Sequence, residues 1–337
     1  MPIVDLTTIS DDMAVFHDGL EVHRFDGLRP DEDHELLGRT VRTLPRPHGE
    51  LLCRLGTVND VHFGELEAGR IDDHAIGPVQ RPEPGEAPFP ETMNRAAVAE
   101  MSEADLAAVI VKGDLTADGT DVEFEAFERC YRPAFGDRLA VVRGNHDAYH
   151  AQTVYAGDRR IDLPGVTVAL IDTTIPERTT GRITAETFAF LDDVALGADR
   201  PVMVMGHHQQ WVGGNRAADY FGINPDDSDG LTELIARRPA IVAYTAGHTH
   251  RHRRRALHRA DDVPSIEVGC VKDFPGTWAE YRVYEGGIMQ VVHRVSSPDA
   301  LRWSERCRHL YRDFGIDYET YALGRLDERC FVIALRS

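Results

Sequence analysis

Lysine is almost absent: Lys112 and Lys272 are the only two in 337 residues, so arginine carries nearly all of the positive charge. Even so, 37 basic residues stand against 56 acidic ones, a formal net charge of -19. Such a surface repels polyanions, which argues against non-specific binding to nucleic acid or to an anionic membrane. It does not exclude a small phosphate ester, because bound metal cations dominate their own local field. Cysteine is scarce as well. Cys53, Cys130, Cys270, Cys307 and Cys330 are odd in number, scattered, and never spaced as CxxC. The expectation is reduced thiols in a cytoplasmic protein rather than a disulfide framework. Long apolar runs are missing too. No stretch approaches the about 20 residues that span a bilayer. The opening MPIVDLTTISDD lacks the basic segment and apolar run of a secretory signal. There is no internal repeat and no low-complexity tract.

What is present is a 42% hydrophobic composition, ample for a buried core. Residues 1–50 read as a small β-rich appendage, with alternating strands in GLEVHRF and around RTVRTL and a turn at LRPDED. From residue 51 the texture changes to apolar runs of strand length: LLCRLGTV, LAAVIV, RLAVV, GVTVALI, PVMVM and AIVAYTA. Continuous runs of this kind suit strands buried on both faces. Helical patterns near 92–106, 121–131, 184–197 and 227–237 separate most of them, which makes a layered α/β architecture. Residues 65–91, rich in proline and glycine, break the rhythm as a long ordered loop beside the strand end they leave from. The main domain is expected to run over 51–295. A C-terminal extension, 296–337, is expected to add one helix near 299–313 and a last strand in ERCFVIAL.

Each apolar run ends in residues that bind metals. LLCRLGTV leads into Asn59-Asp60-Val61-His62, AAVIV into Lys112-Gly113-Asp114, and LAVV into Arg143-Gly144-Asn145-His146-Asp147. VMVM leads into Gly206-His207-His208, and IVAYTA into Gly247-His248-Thr249-His250. In open α/β sheets the crevice at the carboxyl ends of the strands is where ligands bind, since loops from distant elements converge there. The glycines before the ligands are expected to let the backbone turn sharply. Imidazoles, an amide oxygen and carboxylates suit Fe, Mn, Zn or Co. A carboxylate between two such ions can bridge them and offset their repulsion, and an ion pair about 3.5–4 Å apart clamps the two oxygens of an in-line displacement. Each motif alone occurs by chance; the five in order, each behind an apolar run, do not.

The series NDVH, GDL, GNHD, GHH and GHTH resembles the calcineurin-like metallophosphoesterases, over residues 52 to about 252. The resemblance implies a four-layer β-sandwich flanked by helices. It implies that Asp60, His62 and His250 bind one metal ion, that Asn145, His207 and His248 bind the other, and that Asp114 bridges them. His146 would face the substrate phosphate. The segment IDTTIPERTTGRITAETFAFLDDVALGADRPVMVMGHH resembles the branch holding class III cyclic-nucleotide phosphodiesterases and glycerophosphodiesterases, although the proline that follows the histidine pair there is replaced by Gln209-Gln210.

The expected function is hydrolysis of small phosphodiesters by a metal-bridging hydroxide, with two divalent or trivalent ions (Fe, Mn or Zn) as cofactors. A phosphomonoesterase or protein phosphatase is the alternative within the family, and a metal-stabilised binding scaffold the alternative outside it. His146 and Asp147 are the catalytic candidates, with Asp147 expected to orient His146. Asn145, His146 and His208 are the candidates for substrate contact, His208 being the weaker ligand of its pair because successive strand residues point to opposite faces. The expected partner is a small phosphate ester, without nucleic acid or membrane; a homodimer is left open. The one basic run, RHRRRALHR (251–259), is expected to be a solvated face, with a funnel for an anionic substrate as the other reading.

Overall fold

The computed structural model describes residues 4–70, 77–257 and 259–336. An N-terminal antiparallel sheet comes first: β1 (Val4–Ile9), β2 (Met13–Asp18) and β3 (Glu21–Asp26), followed by the hairpin β4 (Asp33–Leu36) and β5 (Arg39–Arg42). The chain then alternates: β6 (Leu51–Val58), α1 (Phe89–Glu103), β7 (Ala108–Lys112), α2 (Asp121–Phe135) and β8 (Leu139–Val142). The second half repeats this rhythm with β9 (Arg159–Leu163), β10 (Val166–Leu170), α3 (Ala185–Leu196), β11 (Val202–Met205), α4 (Pro225–Arg237) and β12 (Ile241–Ala246). Next come β13 (Arg253–Leu257), β14 (Ala260–Glu267), β15 (Thr277–Tyr284) and β16 (Gly287–Arg294). Three helices, α5 (Pro298–Cys307), α6 (Tyr318–Leu323) and α7 (Leu326–Arg329), precede β17 (Phe331–Ala334).

Two six-stranded sheets result, in the orders β17-β16-β15-β6-β7-β8 and β13-β14-β12-β11-β10-β9. The strands carrying the motifs are parallel to their neighbours: β6 to β7 to β8 in one sheet, β11 to β12 in the other. Their carboxyl ends therefore emerge on one edge. Leu55, Ile110 and Tyr281 of the first sheet share a buried cluster with Val168, Met203, Met205 and Ile266 of the second. On the outer face of the first sheet, Val109 and Val111 pack with Phe89, Met93, Phe127 and Trp303 from helices α1, α2 and α5. On the outer face of the second, Val202, Val204 and Tyr244 pack with Leu191, Leu231 and Leu234 from α3 and α4. Helix, sheet, sheet and helix thus stack as four layers, which explains why the central strands β7, β8, β10, β11 and β12 read as apolar runs.

The helix starts follow capping chemistry. Asn224 accepts a hydrogen bond from the Asp227 N–H at 3.0 Å, with Pro225 at the first helical position of α4. Glu123 reaches back from α2 to the Thr120 N–H at 3.1 Å. The expected helix over 299–313 is shorter than that: α5 stops at Cys307. Tyr311 (φ 61°) and Gly315 (φ 78°) are left-handed, so the chain turns before α6 and cannot continue one helix.

The N-terminal sheet is anchored to the main core. Ile9, Met13 and Phe16 belong to the buried cluster shared by the two large sheets. Thr8 Oγ1 donates to Val292 O at 2.7 Å, and Arg282 pairs with Asp11 and Asp12 at 2.8 and 3.0 Å. No described helix is long and apolar enough to cross a membrane. Because Phe16 is fully buried in that shared cluster, Phe16→Ala is expected to cost about 3–5 kcal/mol. Chemical denaturation monitored by tryptophan fluorescence should show one transition at lower denaturant, not the separate loss of a small unit.

Candidate metal centre

Five of the seven candidate ligands have a left-handed backbone: Asp60 (φ 54°), His62 (49°), Asp114 (50°), His248 (67°) and His250 (55°). Non-glycine residues avoid this region, and clusters of such strain mark sites over-determined by their surroundings. The surroundings here are cross-links between the loops themselves. Asp60 N–H donates to Gly113 O, the Val61 and His62 N–H groups both donate to Asp114 O, and Gly247 N–H donates to His207 O. The His248 N–H donates to the Asp60 carboxylate at 3.0 and 3.1 Å. The glycines serve space more than turning: a Cβ on Gly144 would lie 2.2 Å from Asp114 Oδ1, and Gly144 does not have a positive φ. Only at Gly113 (φ 87°) do both demands coincide, with a Cβ meeting His207 Nδ1 at 2.5 Å.

These loops bring the side chains together. His207 Nε2 lies 3.2 Å from each of Asp114 Oδ2, Asn145 Oδ1 and His248 Nδ1. On the other side of Asp114, His62 Nε2 is 3.5 Å from the same Oδ2. His250 Nε2 is 3.6 Å from Asp60 Oδ1. Asp60, His62 and His250 form one group whose ligand atoms lie within 4.8 Å of one another; Asp60, Asp114 and His207 form another. The Nδ1 of His207 lies 2.9 Å from the Lys112 carbonyl. A carbonyl only accepts, so that nitrogen carries a hydrogen and Nε2 is the nitrogen that faces the cluster, free to give its lone pair once a cation displaces its proton. Buried Nε2 atoms of His62 and His248 have no hydrogen-bond partner.

The electrostatics call for positive charge at this point. Burial pushes the Asp60 carboxyl up, with Asp114 adding to the shift and His207 opposing it, to about 6. Burial alone would push His207 down, but Asp114, with help from Asp60, outweighs it and holds His207 at about 9. His62, His248 and His250 are driven well below the usual imidazole range, chiefly by burial. Imidazoles, two carboxylates and an amide oxygen around a solvent-poor space match the donor set of a transition-metal pair.

The sequence pattern of the calcineurin-like phosphoesterases matches residues 54–252. The chain belongs to that family. A protein of Synechococcus sp. named as a probable cyclic nucleotide phosphodiesterase is 26% identical over 150 residues, 42% of this chain and 57% of its own length. The chain thus matches little more than half of that relative. Among solved structures, a dimetal phosphatase from Danio rerio superposes with a TM-score of 0.56 at 14% identity, covering 73% of this chain and 98% of that one. A purple acid phosphatase from yellow lupin seeds gives 0.52 at 14% identity, covering 82% and 60%. At such identities the likeness concerns the metallophosphoesterase fold. The family implies a dinuclear metal centre, and the described residues hold ligand groups that fit one.

The metallophosphoesterase cluster opens into a cavity of about 420 Å³ lined by His62, Asp114, Asn145, His146, His248 and His250. Asp60 and His207 lie in the ligand cluster without lining that cavity, and two other expected residues, His208 and Asp147, do not line it either. His208 is fully buried, with Nδ1 2.8 Å from Thr173 Oγ1 and its ring 4.6 Å from that of His248, and it stands with His207 and His248 in a group of ligand atoms rather than in the cavity wall. Asp147 does not orient His146. Its carboxylate accepts from the N–H groups of Gly144 (2.7 Å), Leu115 (3.0 Å) and Thr116 (2.9 Å) and from the Thr116 hydroxyl (2.7 Å), which uses up its capacity in locking the two ligand loops together. The partner of His146 Nδ1 is the Ala117 carbonyl at 2.6 Å.

The basic run divides between two faces: Arg254, Ala256 and Arg259 are exposed, while His252 and Leu257 are buried. It forms edge strand β13, with Arg251 and Arg255 paired to buried Glu267 at 2.8 and 3.2 Å and Arg254 stacked on Phe331; His258 lies outside the described residues. From the long loop, Glu65 and Arg70 line the cavity, while residues 71–76 lie outside the described residues. Sequence reasoning passed over Lys272, Phe221, Tyr311, Tyr318 and Tyr321, which also line it. One signal was available for Lys272: it is one of two lysines and follows the apolar run SIEVGC just as the ligand motifs follow theirs. Asn59 donates to Asp60 Oδ2 and to Val268 O.

Asp60→Ala and His207→Ala should each lower bound metal from two ions towards one, measured by elemental analysis after reconstitution with Mn²⁺. Unchanged stoichiometry in both would remove these residues from the ligand set.

Proposed function

We propose that this protein is a two-metal phosphodiesterase that hydrolyses small diesters of the cyclic-nucleotide or glycerophosphodiester kind. The observation that carries the reading is the carboxylate of Asp114, standing between the His62 and His207 imidazoles at 3.5 and 3.2 Å at the floor of an open cavity. Asp60, His62 and His250 would hold one ion, Asn145, His207 and His248 the other, with Asp114 shared. When bound, the metal pair supplies Lewis acidity towards the phosphate oxygens and acidifies water. The diester preference rests on the partial likeness to the Synechococcus protein.

His146 is the residue we assign to substrate. Its backbone N–H is fixed by Asp114 Oδ1 at 3.0 Å, and its ring stands 4.7 Å from that of His62. The Ala117 carbonyl takes the Nδ1 hydrogen, so Nε2 is the nitrogen available to the cavity. As imidazolium, that nitrogen donates a hydrogen bond and finally a proton to the leaving oxygen.

Bis(p-nitrophenyl) phosphate should be turned over faster than p-nitrophenyl phosphate by Mn²⁺-loaded protein. A reversed order would make the enzyme a monoesterase, and no turnover of either would leave the binding scaffold. His146→Ala should retain both ions but lose about 10²–10⁴-fold in kcat on alkyl leaving groups. It should lose much less with p-nitrophenolate, which departs without a proton. Equal losses on both kinds of ester would restrict His146 to holding phosphate, and loss of metal would make it a ligand.

A further inference from the structure

Behind the histidines of the Asp60 group stand two carboxylates that belong to none of the five motifs. Glu65 Oε2 is 3.5 Å from His62 Nδ1, and the same carboxylate takes two contacts from Lys272 Nζ at 2.5 and 2.7 Å. Asp273 Oδ2 is 4.0 Å from His250 Nδ1 and, although fully buried, has no hydrogen-bond partner. The other Asp273 oxygen, Oδ1, accepts from the Tyr318 hydroxyl at 2.8 Å and from Cys270 Sγ at 3.1 Å. Lys272 is itself fixed from outside the site, because Trp303 Nε1 donates to its carbonyl at 3.0 Å.

The two rings are oriented alike. His62 Nε2 faces Asp114 and His250 Nε2 faces Asp60, at 3.5 and 3.6 Å, so the nitrogen nearest the ligand cluster is Nε2 in both. Each Nδ1 is the ring nitrogen nearer one of the extra carboxylates, at 3.5 Å for His62 and, beyond hydrogen-bond length, at 4.0 Å for His250. An imidazole that gives its Nε2 lone pair to a cation must carry its hydrogen on Nδ1. A carboxylate receiving that hydrogen fixes the tautomer and the ring plane and raises the basicity of Nε2. His207 meets the same need with the Lys112 carbonyl. The carboxylates add negative charge that a carbonyl does not.

We infer that Glu65 and Asp273 are positioning residues for His62 and His250, and that the C-terminal segment is wired to this half of the metal centre through Tyr318 and Trp303. The inference rests on the ligand assignment proposed above. Helices α5 and α6 of the C-terminal extension then hold the geometry of the site, beyond covering the outer face of a sheet.

The test is metal affinity in the full chain. Apo-protein is titrated with Zn²⁺ against a competing chromophoric chelator, for the wild type and for Glu65→Gln, Asp273→Asn and Tyr318→Phe. Both carboxamide variants keep shape and remove charge. One of the two affinities should fall roughly 10–100-fold in each, with the other within about twofold of wild type; the apo-protein should still melt cooperatively, at a lower temperature in Glu65→Gln because buried Lys272 loses its partner. Tyr318→Phe leaves the carboxylate and removes its partner, so it should weaken the same affinity by roughly two- to tenfold, and it carries the test if Asp273→Asn does not fold. Two wild-type affinities in both carboxamide variants would overturn the inference while leaving the metal centre standing. Equal loss of both affinities would also overturn it, as a general structural effect. A wild-type stoichiometry of three, falling to two in Asp273→Asn, would make Asp273 a ligand instead. A wild type that binds no pair of ions would instead bring down the ligand assignment itself.

Discussion

Everything at this site answers to one constraint, the burial of the Asp114 carboxylate between imidazoles of opposite loops. Asp114 is 2% exposed. Burial works to push its proton affinity up, yet His207, His146 and His62 hold it well below the ordinary carboxylate range. A buried carboxylate is tolerable only when paired and hydrogen-bonded. Here one oxygen is tied to the His146 N–H and the other looks at two imidazole nitrogens. Asp60, less well compensated, is pushed towards neutrality in the absence of a cation. A pair of metal ions would relieve both carboxylates at once, so the demand for cations is built into the protein matrix.

The cost of that arrangement is visible in the backbone. Five ligand candidates sit in a conformation that costs of order 1–3 kcal/mol each for a residue with a side chain. Nothing within one loop would hold such geometry. The loops are instead bonded to one another, Asp60 and His62 to the Gly113–Asp114 step and Gly247 to His207, while Asp147 clamps the loops after β7 and β8 with four hydrogen bonds. Asp147 thus matters through the position of Asn145 and Asp114, not through chemistry of its own. The sandwich beneath supplies rigidity: the strands that deliver these loops are buried on both faces, between the inter-sheet core and the outer helices.

The two ends of the chain close the structure from different sides. The N-terminal sheet adds Ile9, Met13 and Phe16 to the inter-sheet core and is tied to β15 and α7 by Arg282 and Arg329. The C-terminal segment reaches the cavity itself, through Tyr311 of the turn after α5 and through Tyr318 and Tyr321 of α6. With Phe221 stacked over His248 at 4.0 Å, they give the cavity aromatic walls above a polar floor. Such walls contribute area and shape to binding, while the floor contributes charge.

Much of this was legible in the chain itself. Strands buried on both faces must be apolar throughout, so β6, β7, β8, β10, β11 and β12 announced themselves, and the polar ligands stood out where each run ended. Helices α1 to α4 were legible from their periodicity. Residues that act through distance were not legible. Glu65 and Asp273 reach His62 and His250 only after the sheets close. The arginines of 251–255 find Glu267 and Phe331 only when β13 pairs at the edge and β17 arrives from the far end of the chain. That adjacent His207 and His208 face opposite ways followed from strand alternation; what they meet did not, since the packing of β11 against its neighbours brings one to Asp114 and the other to Thr173. Local pattern determined the elements and the kinds of atoms at their ends. The meeting of those atoms, and the carboxylates that stand behind them, was decided by the fold, because contacts between residues far apart in the chain leave no local trace.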